Sequence, residues 1–96
     1  MAVITQTTAF ATWLRLLRDR RAKAIIIDRI ERVARGLEGD VKSLKGGVSE
    51  LRVDCGPGYR IYFTRRQRVT IILLCGGDKT TQSNDIDNAR RLASRL

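Results

Sequence analysis

Ser49-Glu50-Leu51-Arg52-Val53-Asp54-Cys55-Gly56-Pro57-Gly58-Tyr59-Arg60-Ile61-Tyr62-Phe63-Thr64 is the stretch whose reading decides the fold. Leu51 and Val53 alternate with Glu50, Arg52 and Asp54; past the turn, Tyr59, Ile61 and Phe63 alternate with Arg60, Tyr62 and Thr64. A period of two places each set on one side of an extended strand. The only proline of the chain stands between two glycines in Cys55-Gly56-Pro57-Gly58, which predicts a turn and therefore an antiparallel hairpin. If even-numbered residues oppose one another across it, Arg52 meets Arg60 and Glu50 meets Tyr62, or each pair is offset by two.

Working outward, residues 69–75 are apolar without alternation, the pattern of a central strand covered on both faces, and Gly76-Gly77 is expected to end it. A basic turn, Arg65-Arg66-Gln67-Arg68, precedes it. Upstream of the hairpin, residues 41–45 read as a short extended segment followed by a Gly46-Gly47 turn. Residues 2–6 are a strand candidate, and Thr7 or Thr8 is placed to cap a helix. Phe10, Trp13, Leu14 and Leu17 then recur at helical spacing, as do Ala22, Ile25, Ile26, Ile30, Val33 and Leu37, with Gly36 and Gly39 as stops. A last helix, capped by Asp78 or Ser83, buries Ile86, Ala89, Leu92, Ala93 and Leu96. The order predicts a single α+β domain over residues 1–96. An N-terminal strand and a helical hairpin pack on a small antiparallel sheet of three or four strands, with a helix at the C-terminus.

Composition bounds the chemistry. The chain has 96 residues, 43% hydrophobic and 30% charged, as in an ordinary globular protein. Without histidine there is no imidazole base and no Cys2His2 zinc site; two cysteines, Cys55 and Cys75, cannot make a tetrahedral thiolate site. We expect no metal and no cofactor. The longest apolar run, residues 71–75, is far short of the roughly 20 residues a membrane span needs, so no membrane partner is expected. The first residues lack the basic and apolar regions of a signal peptide, and the expected compartment is the cytoplasm.

Nineteen basic residues against ten acidic ones give a net charge of +9, which points to nucleic acid, an acidic protein or an anionic surface as partner. Residues 41–79 hold eight of the basic and only three of the acidic groups. Lys42, Lys45, Arg52, Arg60 and Lys79 recur there across neighbouring segments. Directly opposed arginines repel on a sheet. The plainer reading is that Glu50 and Asp54 neutralise them in a surface ladder. We read the face as anion-binding instead, because functional sites are where local stability rules are broken.

Four blocks carry a resemblance: Gly39-Asp40-Val41-Lys42-x-Leu44, Ser49-Glu50-Leu51-Arg52-Val53-Asp54, Gly56-Pro57-Gly58-Tyr59-Arg60-Ile61-Tyr62-Phe63 and Leu73-Leu74-Cys75-Gly76-Gly77-Asp78-Lys79-x-x-Gln82. In this order they resemble the RelE/ParE toxin superfamily, and most of all its HigB-like addiction module killer branch of type II toxin–antitoxin systems. The resemblance implies a RelE-like α+β toxin that cuts mRNA on the ribosome and is silenced by a cognate acidic antitoxin, expected to be of helix-turn-helix type. It also implies that Arg60 contacts phosphate, that Lys79 lies near the second basic catalytic position, and that Gln82 falls in a site-bearing segment. The chain departs from relatives that use histidine or a C-terminal tyrosine, since its tyrosines are Tyr59 and Tyr62 alone.

Metal-independent RNA cleavage needs a base for the 2′-hydroxyl, positive charge on the phosphorane and an acid for the 5′-oxygen. Arg60 suits the charge-stabilising role because its fork grips two phosphate oxygens and keeps its proton; Arg52 shares it. Lys79 is the candidate acid or second clamp and Glu50 the candidate base. Tyr62 is placed to orient the nucleophile or stack on a base, and Lys42, Lys45 and Gln82 complete the candidate RNA contacts. The alternative is a ParE-like inhibitor of DNA gyrase without nuclease activity.

Overall fold

The structure, a computed structural model, describes residues 2–96. Strand β1 (Val3–Gln6) runs into helix α1 (Thr8–Leu16) and helix α2 (Arg20–Ala34). Strands β2 (Val41–Ser43), β3 (Ser49–Val53), β4 (Tyr59–Arg66) and β5 (Thr70–Asp78) follow, then a 3-10 turn (Lys79–Thr81) and helix α3 (Gln82–Ser94). Both N-terminal helices start where the sequence offers a side-chain acceptor. Thr7 takes the Phe10 amide at 3.1 Å, and Asp19 takes that of Ala22 at 3.0 Å.

All five strands form one sheet in the order β1-β5-β4-β3-β2. The β2–β3, β3–β4 and β4–β5 pairs are antiparallel, whereas β1 lies parallel to β5, Val3 opposite Thr70. The sheet is therefore mixed and one strand wider than the expected antiparallel meander. Helices α1 and α2 carry the chain from β1 to β2 at the opposite edge of the sheet, and the three antiparallel pairings that follow bring β5 back beside β1 in the direction of β1.

Each face of the sheet is covered. On one, Leu51, Val53, Tyr59, Ile61, Phe63, Ile71 and Leu73 pack against Phe10, Ala22, Ile26, Ile30 and Val33 of α1 and α2. On the other, Tyr62, Leu74 and Cys75 meet Val48 and Ala89 and Ala93 of α3. A β-bulge at Leu74 adjusts the β4–β5 register between these faces: Tyr62 pairs with Cys75 and Phe63 with Leu73.

Three boundaries differ from the sequence reading. Gly76-Gly77 does not end β5 but lies inside it. A Cβ at Gly76 would collide with the Trp13 indole, and one at Gly77 with the Asp85 carboxylate and the Thr81 hydroxyl. The glycines serve close approach from both faces rather than a turn. β4 continues through Arg66, so the turn shrinks to residues 67–69 with Gln67 and Arg68 at φ 54° and 66°. Leu37 and Leu96 lie past the helix ends and are exposed.

Two stability measurements follow. Gly77→Ala displaces the start of α3 and lowers stability by about 2 kcal/mol in urea unfolding, the usual range for overpacking. Gln67→Asn with Arg68→Gly relieves two consecutive left-handed residues and raises stability by about 1 kcal/mol in the same assay.

Candidate functional site

The β3–β4 hairpin closes in the first of the two anticipated registers: Arg52 opposes Arg60, and Glu50 opposes Tyr62. The even-numbered face is not the wet surface the alternation suggests, because α3 covers much of it. Glu50 and Tyr62 are both 0% exposed. The buried Glu50 carboxylate becomes the centre of a charged cluster. Arg52 Nε donates to its Oε1 at 2.9 Å, Gln82 Nε2 donates to its Oε2 at 2.8 Å, and Arg60 Nε stands 3.9 Å from that same Oε2. Burial pushes the Glu50 carboxyl up, but Arg52, Gln82 and the adjoining Tyr62 hydroxyl outweigh it and hold its pKa below the ordinary 4.5. The Tyr62 hydroxyl lies beside the carboxylate without reaching hydrogen-bond geometry, and burial together with the Glu50 charge drives its own pKa upward.

Above this cluster Arg52, Arg60 and Lys79 line one cavity of about 250 Å³, with Val53, Gly58, Asp40 and Asp54 completing its wall. Arg60 is anchored by Nη1 on the Gly58 carbonyl at 3.0 Å. Lys79 arrives from the 3-10 turn, which Asp78 caps by accepting the Thr80 amide at 2.8 Å. The Thr80 hydroxyl and amide hold the Asp78 carboxyl below its ordinary pKa. Gly58 sits at this corner with φ 82°, a left-handed conformation that suits glycine, and a Cβ there would stand in ordinary contact with Arg60 Nη1 at 3.4 Å and Lys79 Cβ at 3.7 Å.

Of the residues singled out from sequence, Arg52, Arg60 and Lys79 thus share a concavity, and Gln82 reaches it through Glu50. Glu50 itself is displaced from the role of base: with no exposed surface and a lowered pKa, it positions the arginines and meets no 2′-hydroxyl where it stands. Tyr62 cannot stack on a nucleobase, since its ring is fully buried against α3. Lys42 is the exposed cross-strand neighbour of Glu50 on the edge strand β2, outside the cavity wall. Lys45 lies farther off in the β2–β3 turn, where its carbonyl accepts Arg90 Nε at 2.9 Å. Sequence reasoning passed over Asp40 and Asp54 as wall residues. The signal was present in Asp54, which has the same parity as Arg52 on the strand.

Cys55 and Cys75 are free thiols, and burial pushes Cys75 up to about 12. Among the described residues, no group of three or more His, Cys, Asp or Glu is spaced to hold a metal ion. No described helix is long and apolar enough to cross a membrane.

Fold and cleft together define a small basic α+β protein with a cleft lined by two arginines, a lysine and two aspartates on a mixed sheet. The chain belongs to the Phage derived protein Gp49-like (DUF891) family, whose profile spans residues 12–95. An uncharacterized protein of Haemophilus influenzae is 50% identical over 93 residues, covering 97% of this chain and 94% of its own length. Membership of this family accords with a toxin role in a toxin–antitoxin pair.

The depressed carboxyls set the sign of acid sensitivity. Unfolding restores an ordinary pKa to Glu50, so its stabilisation is complete above about 4.5 and fades as pH falls through the lower folded value. Glu50→Gln therefore costs about 2 kcal/mol at pH 7. The gap from the parent protein narrows below pH 4.5 when urea unfolding is followed across that range.

Proposed function

We propose that the protein is a HigB-like toxin of a type II toxin–antitoxin system that cleaves mRNA on the translating ribosome without a metal. The observation that carries this reading is the convergence of Arg52, Arg60 and Lys79 on one cavity. Two guanidinium forks and an ammonium suit the non-bridging and leaving oxygens of a phosphodiester passing through a dianionic phosphorane. Arg60, 12% exposed and anchored on a backbone carbonyl, offers a fixed charge at the phosphate. Lys79, exposed at the rim, is the donor to the 5′-oxygen. Ribosomal alignment of the message supplies the rest, since positioning alone is worth several kcal/mol.

The net charge of +9 supports two partners for this surface: RNA in the active state and an acidic antitoxin, of helix-turn-helix type, in the silenced one. A ParE-like gyrase inhibitor is the second reading. It is favoured by one observation, that burial of Glu50 removes a carboxylate from the acid–base inventory.

Induced expression of the parent chain arrests translation and yields mRNA ends inside coding regions. Arg60→Ala lowers cleavage at those ends by about 100-fold or more while remaining folded. DNA breaks with intact mRNA would replace the nuclease reading by the gyrase one. Full toxicity of folded Arg60→Ala would remove Arg60 from the site.

A further inference from the structure

The cleft has a positive clamp and a proton donor, but Glu50 lies too deep to accept the proton of a 2′-hydroxyl. We propose that Asp54 is that acceptor, an inference that rests on the nuclease reading above. Asp54 follows Arg52 by two residues on the same side of the hairpin and lines the same cavity as Arg52, Arg60 and Lys79.

Continuing the observed register past Val53–Tyr59 sets Asp54 opposite Gly58, so its cross-strand neighbour presents no side chain to cover it. It is exposed, and its carboxylate has no hydrogen-bond or ion-pair partner among the described residues. The other wall carboxylate, Asp40, sits on the β2 side, where its carbonyl accepts the Arg52 amide and its charge acts on Arg52. Asp54 instead follows Arg52 along the hairpin toward Gly58, the glycine whose neighbours include Lys79. Acceptor and donor thus line the same cavity as the two arginines that would hold the phosphate.

The step balances without water, metal or an added reactant. Asp54 removes the 2′-hydroxyl proton, the O2′–P bond forms, the P–O5′ bond breaks, and Lys79 gives its proton to O5′. The products are a 2′,3′-cyclic phosphate and a 5′-hydroxyl end, and Arg52 and Arg60 carry the charge of the phosphorane.

Single-turnover cleavage of ribosome-bound mRNA by the purified protein is the test. Asp54→Asn lowers the rate by about 100-fold or more, with RNA affinity changed only a few-fold and the urea midpoint unmoved. Asp54→Glu recovers part of the loss. A substrate with sulfur replacing the 5′-bridging oxygen restores Lys79→Ala, because that leaving group needs no proton, and fails to restore Asp54→Asn. An Asp54→Asn protein that cuts within a few-fold of the parent, or one that the sulfur substrate rescues, overturns the assignment and leaves the nuclease reading standing. A parent protein that leaves ribosome-bound mRNA intact removes that reading, and this inference with it.

Discussion

A carboxylate with no exposed surface must either hold its proton or draw positive charge around it. Glu50 draws charge, and the architecture of the cleft follows from that requirement. Arg52 and Arg60 are directly opposed across the β3–β4 pair, an arrangement that repels when nothing lies between the two guanidiniums. One Glu50 oxygen takes the Arg52 Nε and the other faces the Arg60 Nε and the Gln82 amide, so a single buried charge steadies both arginines and the first residue of α3. The pair is not worth much as a net gain in stability, because taking ions out of water costs about as much as their attraction returns. Its value lies in fixing where the guanidiniums point.

Backbone geometry brings the third cation to the same place. Gly76 lies beneath Trp13, and the Trp13 ring meets Tyr59 edge-on at 6.1 Å between centroids. Gly77, the β5 partner of Arg60, lies beneath Asp85 and Thr81. Without side chains at these two positions, α1 seats on one face of β5 and the start of α3 on the other. The start of α3 then carries Gln82 to Glu50, and the preceding 3-10 turn carries Lys79 to the Gly58 corner. A methyl group at Gly77 would act on the cleft through packing alone, with no catalytic atom touched.

The parity of the β3–β4 hairpin was legible because a period of two is imposed by the pleat itself: the pairing of Arg52 with Arg60 and of Glu50 with Tyr62 could be written down from residue spacing. The apolar helical faces of Phe10 and Trp13, and of Ala22, Ile26 and Ile30, were legible for the same kind of reason. The burial of Glu50 was not. Solvent exposure on the second face depends on where α3 lands, and that is set by the close approach at Gly77 rather than by any pattern within β3. The parallel pairing of β1 was equally hidden, since strand order is a long-range choice that residues 3–6 do not encode. Lys42 and Lys45 show the limit of charge counting: both belong to the basic segment, yet strand direction carries one to an edge and the other to the far turn.

The choice of guanidinium over ammonium at position 52 follows from its two obligations. Arg52 spends Nε on Glu50 and keeps both terminal nitrogens without a hydrogen-bond partner among the described residues, on a side chain 37% exposed at the cavity. One group thereby satisfies a buried anion on its inner edge and presents a two-pronged donor to a second anion on its outer edge. An ammonium is a single point of charge on a flexible stem, and drawing it down to Glu50 would withdraw it from the cleft. The rim position is different: Lys79 has no buried carboxylate to serve, and the proton release that the proposed nuclease asks of it is closed to a guanidinium, which keeps its own proton. In the proposed reaction this becomes a division of labour, with two arginines that hold the phosphate and one lysine that gives a proton.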